Sequence, residues 1–434
     1  MDPAVNEGLV RVGILGCGNV GSALVRLIDD NADVIERRAG VRLEVGKVAV
    51  RNLALERDVP LPAGAFTNDA QSVVGAADID IVVELIGGIE PARSLITEAL
   101  KGGKPVVTAN KELLANVGRE LFETAEGAGV DLLFEASVAG GIPLIRPLRE
   151  SLAGDHIRRV MGIVNGTTNY ILTRMTEAGS SFHDALAEAQ TRGYAERDPT
   201  ADVEGFDAAA KAAIIASIAF GARVVAGDVY REGISDLTDH DIASARDLGY
   251  VVKLLAVAEE LDGEVAVRVH PAMVPLHHPL ASVRESFNAL FIEGDAVGEL
   301  MLYGRGAGGG PTASAVIGDL IDAAKNLVSG GRGATIGDLE RKTIRPIDEV
   351  ESQFYLFIEV ADRPGVLAGI ATAFGTHGVS IKSMQQRGIG DDARLIFVTH
   401  KAREADLRAT VHALRDVETV HRVGSVLRVM GDEE

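Results

Sequence analysis

One cysteine, Cys17, is all the chain has, and there is no tryptophan. A single cysteine excludes an intrachain disulfide and any cysteine-based zinc site. Aromatic residues make up 4% of a sequence that is 47% hydrophobic, so the cores are built from small aliphatic side chains, as in an Ala/Val/Gly-rich α/β protein. Basic residues are also short: 43 Lys and Arg stand against 63 Asp and Glu, a formal net charge of -20. Such a field repels nucleic acid and anionic membranes, and neither is expected as a partner. No apolar run reaches the roughly 18 residues that span a bilayer. The N-terminus is acidic and lacks a basic n-region, so no signal peptide is expected and the chain reads as cytoplasmic. At 434 residues, two or three domains are expected.

The glycines are where the chain first becomes specific. Residues 9–15 (LVRVGIL) read as a buried strand, followed by Gly16-Cys17-Gly18-Asn19-Val20-Gly21 and then a helical pattern. This is GxGxxG in its required context, after a strand and opening a helix. The glycines let the backbone turn tightly and approach a pyrophosphate, and the helix N-terminus supplies N–H groups and partial positive charge. The next strand, residues 43–50, ends in Arg51-Asn52, where an NAD-type site wants a carboxylate for the ribose 2′-hydroxyl. Arg51 suits a 2′-phosphate and favours NADP; the alternative is a solvent-exposed arginine.

Strands at 79–86, 105–110 and 130–138 alternate with helices, which argues for a parallel, doubly wound sheet with ligands at the strands' carboxyl ends. Lys111 follows one such end and is placed to point into the crevice. As a plain surface lysine it would sit at the unfavourable end of a helix dipole. The step at 135–143 (EASVAGGIP) reads, on its residues alone, as a chain reversal between domains. Its carbonyls and one carboxylate are the alternative, a cation site.

The middle of the chain carries a strand at 158–164 and a polar turn, Asn165-Gly166-Thr167-Thr168-Asn169, that either caps the following helix or hydrogen-bonds a small polar ligand. The densest charge lies at 189–211, AQTRGYAERDPTADVEGFDAAAK. Glu196, Asp198, Asp202, Glu204 and Asp207 precede Lys211, which runs straight into an apolar helix. Asp207 and Lys211 are i and i+4 and share a helix face. An exposed ion pair of that kind contributes only about half a kcal/mol. The alanines and isoleucines around Lys211 point to burial instead, and a lysine so placed exchanges a proton with a substrate hydroxyl. Asp198-Pro199 reads as a turn, while Asp202 and Glu204 stay open between site support and solvent.

Residues 221–300 alternate helix and strand without a chemical signature, and His270, His277 and His278 are ordinary loop or edge histidines rather than metal ligands. A second glycine loop at 302–312 (LYGRGAGGGPT), containing Gly306, opens a helix and is expected to return to the cofactor domain; a flexible linker is the alternative. A Gly-rich polar linker at 329–342 leads to strand, helix, strand, strand, helix, strand, a ferredoxin-like unit able to pair edge to edge between chains.

These residues together resemble homoserine dehydrogenase over nearly the whole chain. Residues 189–211 fit that family's signature without departure, and NGTTNYIL, TANK and EASVAGGIP resemble three further blocks. DRPGVLAGIA resembles the start of an ACT domain, the small-molecule-sensing module of amino-acid pathways. The resemblance implies a Rossmann-type doubly wound cofactor domain over 1–142, completed by 306–330. It implies an α+β catalytic and oligomerisation domain over 143–305, a linker over 331–350 and a ferredoxin-like ACT domain over 351–434. It implies reversible NAD(P)-dependent interconversion of L-homoserine and L-aspartate 4-semialdehyde in threonine, methionine and isoleucine biosynthesis.

By the same resemblance Lys211 is the acid/base and Lys111 reaches both substrate and nicotinamide. Glu196, Asp207 and Thr167 meet the substrate. Gly16, Gly18, Asn19, Val20, Gly21, Arg51 and Gly306 meet the cofactor. Glu135 and the carbonyls of Val138, Gly140 and Ile142 match a monovalent-cation site, sodium in the family, which replaces the chain-reversal reading. The ACT domain implies threonine as effector or a role in building a homo-oligomer, dimer or tetramer. Two rival readings are a phosphorylating semialdehyde dehydrogenase, which needs a cysteine nucleophile, and an amino-acid sensor that only binds nucleotide.

Overall fold

In the computed structural model, which describes residues 8–334, 336, 339–388 and 393–431, the glycine-punctuated first third closes into a parallel six-stranded sheet. The acidic N-terminal segment, Thr335, Gly337 and Asp338 of the expected linker, and the last three residues of the C-terminal module lie outside the described residues.

The strands are β1 (Leu9–Leu15), β2 (Arg42–Ala49), β3 (Phe66–Thr67), β4 (Ile81–Glu84), β5 (Val106–Thr108) and β6 (Leu132–Leu133), in the order β3-β2-β1-β4-β5-β6. The order reverses between β1 and β4, which sets a crevice at their carboxyl ends. β4 and β5 are buried along their whole length, which is why they read as apolar up to their last residues, Glu84 and Thr108. The helix Gly309–Val328 packs on the helix Asn19–Asp30. Its Ala313, Val316, Leu320, Ala323 and Ala324 are buried in one core with Val12, Ile14 and Leu24.

One expected strand is mostly absent. Of residues 130–138, only Leu132–Leu133 pair, and Glu135–Ser137 form a 3-10 turn. β5 offers only Val106 and Val107 as partners, and beyond them the Glu135 N–H donates to Asp319 Oδ2 at 2.8 Å.

A second compact unit comprises residues 161–209, 230–287 and those from 343 onward. Over 221–300, where helix and strand are expected to alternate, the helix Asp239–Asp247 precedes a long antiparallel hairpin of Tyr250–Leu261 and Glu264–Pro275, paired from Leu261↔Glu264 to Tyr250↔Pro275. Its two-residue turn is Asp262-Gly263, both at positive φ (55° and 83°), the geometry for which Asp-Gly is favoured.

The C-terminal strands lie in the order Val420–Val429, Glu351–Val360, Arg394–Thr399, Ile381–Arg387, all antiparallel. This is the order expected of a ferredoxin-like βαββαβ unit. Its core joins Phe354, Leu356 and Ile358 to Ile370, Phe374, Leu407 and Leu414 of its two helices. The last strand also pairs in parallel with Glu264–Pro275, at Ala272↔Arg428 and Met273↔Val429, so the module's sheet continues that of the hairpin.

The expected linker is held where it is described. Glu340 exchanges backbone hydrogen bonds with Gly221 and Arg223, and Val265 exchanges them with Thr343 and Arg345. Among the described residues no helix is long and apolar enough to cross a membrane.

Candidate active site

Three glycines at the end of β1 do different work. Gly16 has φ +100°, and a side chain there would lie 2.8 Å from the Leu85 carbonyl oxygen. A side chain on Gly21 would collide with the Gly16 carbonyl, so its absence lets the helix start directly against the turn. Gly18, the N-cap, has nothing within 4 Å of where a side chain would sit. No side chain caps this helix and its first turn holds no acidic residue, so the partial positive charge of its N-terminus is left for a ligand. A second N-terminus arrives beside it: a side chain on Gly309 would lie 2.9 Å from the Asn19 carbonyl oxygen.

Arg51 is exposed just past β2. Arg57, which sequence reasoning did not single out, donates from Nε to the Cys17 carbonyl (3.2 Å) and from Nη1 to the carbonyls of Asn52 (3.1 Å) and Leu55 (2.7 Å). It ties the loop after Arg51 to the glycine turn. The Cys17 thiol points into the core, with Sγ 3.5 Å from Ser22 Oγ.

Lys111 opens the helix Lys111–Ala128 and is half-buried. Its position is set by a buried network that sequence reasoning also missed. Glu84, at the end of β4, accepts from the Ile86 and Gly87 N–H groups (2.8 and 2.9 Å) and from Thr108 Oγ1 (2.6 Å). The Asn110 N–H donates to Thr108 Oγ1 at 3.0 Å, and Asn110 Nδ2 donates to the Gly88 carbonyl at 2.7 Å. Asn110 Oδ1 caps the helix by accepting from Leu113 N–H. A lone glutamate in the apolar run IVVEL was the available signal.

The carboxylate of the turn after β6 is held by backbone. Glu135 is buried, and its oxygens accept from the backbone N–H groups of Leu144 (2.5 Å), Ile145 (2.8 Å) and Arg146 (2.8 Å). The carboxylate therefore holds the next helical turn. Beside it, burial pushes the Asp319 carboxyl up to about 7, against the pull of the Glu135 N–H and Arg146. Ala139 and Gly140 both take positive φ (54° and 50°); a side chain on Gly140 would collide with the Gly306 carbonyl, and one on Gly306 with the Asn288 side chain. Asn288, 1% exposed, abuts Gly306, and its Oδ1 has no hydrogen-bond partner among the described residues. Val138, Gly140 and Ile142 are all buried in this turn.

The acidic stretch is sorted by one asparagine. Asn165, two residues past the strand Ile157–Ile163, caps the helix Gly166–Ala178, its Oδ1 accepting from Thr168 N–H at 2.8 Å. The expected polar turn at 165–169 is thus a cap and the first helical turn. Asn165 Nδ2 donates to Asp202 Oδ1 (2.7 Å) and to Asp207 Oδ2 (2.9 Å), which draws Asp202 into the cluster with Asp207. Thr167 Oγ1 donates to the Tyr194 carbonyl (2.6 Å), so its proton holds the loop. Asp198 accepts from the N–H and hydroxyl of Thr200 and so makes the expected turn. Glu204 accepts from Ser235 Oγ at 2.5 Å. Glu196 is exposed on the loop.

Asp207 and Lys211 lie on the helix Phe206–Phe220 at 7% and 9% exposure, which removes the reading of them as a solvated surface pair. His270 is buried between strands, where burial and the charges of Arg428 and Arg268 keep it well below the usual histidine range. No group of three or more His, Cys, Asp or Glu able to hold a metal occurs among the described residues.

Family models match three stretches: one described as "Homoserine dehydrogenase, NAD binding domain" over residues 16–135, "Homoserine dehydrogenase" over 143–321 and "ACT domain" over 354–419. The chain is 50% identical to the homoserine dehydrogenase of Mycobacterium tuberculosis over 437 aligned residues, covering 98% of this chain and 99% of that protein. It is 49% identical to that of Corynebacterium glutamicum over 440, with 99% of each covered. The crystal structure of a homoserine dehydrogenase from Thiobacillus denitrificans superposes with TM-score 0.92 at 40% identity, covering 98% of this chain and 99% of that one. A hyperthermophilic archaeal homoserine dehydrogenase in complex with NADPH superposes with TM-score 0.61 at 30% identity, covering 73% of this chain and 97% of that one. With the glycine cradle at β1, the two buried partners one turn apart on Phe206–Phe220 and the terminal ferredoxin-like module, these matches place the chain in the homoserine dehydrogenase family.

Proposed function

We propose that this chain reduces L-aspartate 4-semialdehyde to L-homoserine, reversibly, with Lys211 as the proton donor and acceptor and NADP(H) favoured over NAD(H). The observation that carries the reading is the burial of Lys211 beside Asp207 on one helix, following a stretch rich in carboxylates. A bound nicotinamide supplies or accepts the hydride. The Lys211 ammonium donates to the C4 oxygen as negative charge develops there, and its amine takes the hydroxyl proton in the reverse direction. Glu196 and Asp207 offer carboxylates to the substrate ammonium, with Asp207 fixed by Asn165. Thr167 steadies the loop above them through the Tyr194 carbonyl. By the family resemblance, Lys111 would meet both substrate and nicotinamide.

The residues at β1 fit a dinucleotide. Gly16 and Gly21 keep backbone close, the space before Gly18 suits a pyrophosphate, and Asn19, Val20 and Gly306 join them by the family resemblance. Where β2 ends, Val50-Arg51-Asn52 offers Arg51 and no carboxylate, which suits a 2′-phosphate. We expect Arg51→Ala to raise the KM for NADPH about tenfold, the worth of a charge-assisted hydrogen bond, and to leave NADH within about twofold. Initial rates with each cofactor decide it, and equal effects on both remove Arg51 from the site.

For the cation, the carbonyls of the buried Val138, Gly140 and Ile142 would supply neutral oxygens suited to a monovalent ion such as sodium, and Asn288, which lies against Gly306, would add its Oδ1. Glu135 would contribute negative charge from behind the turn, its oxygens being held by N–H groups. Threonine as effector of the ACT module and assembly into a homo-oligomer belong to the same proposal. The exposed edge strand Ile381–Arg387 supports the latter.

The thioester route of a phosphorylating dehydrogenase needs an accessible thiolate. Cys17 is in the core of the first unit. Cys17→Ala should keep homoserine oxidation within about threefold of wild type, since a small core truncation carries only a modest cost. Complete loss of turnover with NADPH binding intact would revive that route.

A further inference from the structure

Arg428 sits on the last strand of the ACT module and is 6% exposed. Its guanidinium grips two carboxylates at once. Nη1 and Nη2 donate to the two oxygens of Glu232 at 2.9 Å each, and Nε and Nη2 donate to Glu404, at the start of the module's second helix. Tyr230 lies under it, ring centroid 5.4 Å from the guanidinium carbon, and donates its hydroxyl to Glu232 Oε1 at 2.5 Å. Burial opposes charge on all three ionic groups. At Glu232 the bonds from Arg428 outweigh burial and hold the carboxyl below its usual range, whereas at Glu404 burial wins and the carboxyl rises. The pairing that leaves the module, Arg428 with Glu232, is the two-pronged one at 2.9 Å on each prong.

A buried ionic cluster is poor evidence of stabilisation, because desolvation offsets most of the attraction. What two parallel bonds to one carboxylate do well is fix its position. Glu232 is a useful thing to fix, for its neighbours clamp the end of the acidic stretch. Ile234 N–H donates to the Val203 carbonyl at 2.8 Å, Arg231 Nη1 donates to the Glu204 carbonyl at 3.2 Å, and Ser235 Oγ donates to Glu204 Oε1. The Arg231 guanidinium lies 3.4 Å over the Phe206 ring centroid. Gly233 presses so tightly that a side chain there would collide with the Val203 carbonyl. Asp202 stands immediately before this clamped segment and Asp207 immediately after, both held by Asn165.

We propose that Arg428 of the ACT module is a positioning residue for the substrate turn, holding 202–207 in place through Glu232. The inference rests on the reading of 189–211 as the substrate site. The ACT module is then part of the framework of that site as well as an appended sensor.

The test uses full-length enzyme and initial-rate kinetics. Glu232→Gln keeps the size and one hydrogen bond but loses the charge that fixes the pair. It should raise the homoserine KM about fivefold or more while the NADPH KM stays within about twofold, the range of a coupling between sites. Glu404→Gln should move the homoserine KM in the same direction and less. Glu264→Gln, which removes a comparable pairing with Arg345 (2.9 Å) away from the turn, should leave both KM values unchanged. A thermal unfolding scan of each variant shows that folded protein is being assayed. An unchanged homoserine KM in Glu232→Gln, with Asp207→Asn impaired, overturns the positioning role alone. If Asp207→Asn is itself unimpaired, the substrate-site reading fails and the inference falls with it.

Discussion

Lys211→Ala lowers kcat for homoserine oxidation by about 10²- to 10⁴-fold, the range over which a positioned general acid or base acts. The expectation follows from where the side chain is. Lys211 is 9% exposed on a helix whose Ala208, Ala209, Ala212, Ala213 and Ile214 are all buried, so bulk water is poorly placed to take over the proton. Hydride transfer without proton transfer leaves an alkoxide in one direction and a protonated carbonyl in the other, and both are costly in a dry site. The loss should appear in kcat, with the KM for NADPH little changed, because the proton moves only as the transition state forms. Lys211→Arg should not restore the rate, since a guanidinium stays protonated and cannot act as base. An unfolding scan separates these losses from a folding defect. A loss smaller than about tenfold takes Lys211 out of the mechanism, and no change at all is what a nucleotide-binding sensor without catalysis would show.

The features that could be read from sequence were those whose partners lie close along the chain. The GxGxxG turn declares itself within a dozen residues, because strand, turn and helix start are all local, and the parallel, doubly wound sheet then follows from the alternation of elements. The terminal module was legible for the same reason, each of its elements carrying its own period. Asp207 and Lys211 were legible as a helix pair because four residues separate them. What failed was long-range. Glu135 has its N–H taken by Asp319, 184 residues away, and its carboxylate taken by the backbone of the next segment, so nothing in EASVAGGIP announces either. Asn165 reads as a helix cap, and is one, but its links to Asp202 and Asp207 span 37 and 42 residues. Arg428 reaches Glu232 across 196. The long hairpin is a different case: Asp262-Gly263 was a local signal for it, flanked by alternating valines, and the acidic and basic residues within those strands masked the period.

The three cradle glycines give the sharpest separation between folding and binding. Gly21→Ala should weaken NADPH binding about 10- to 100-fold and also lower the thermal midpoint, because the new methyl meets the Gly16 carbonyl and forces the helix away from the turn at a cost of about 1–3 kcal/mol. Backbone on both sides of that contact leaves no flexible side chain to give way. Gly18→Ala should behave differently. The position is open, with φ -86°, so alanine is accommodated and the midpoint without cofactor should hold or rise slightly. NADPH affinity should still fall about tenfold or more, since a methyl would occupy the space through which backbone meets the pyrophosphate. Titration of each purified variant with NADPH, beside an unfolding scan without it, checks both halves. If Gly18→Ala binds NADPH as wild type does, that space does not take the pyrophosphate, and the approach of the cofactor to the helix Asn19–Asp30 must be redrawn.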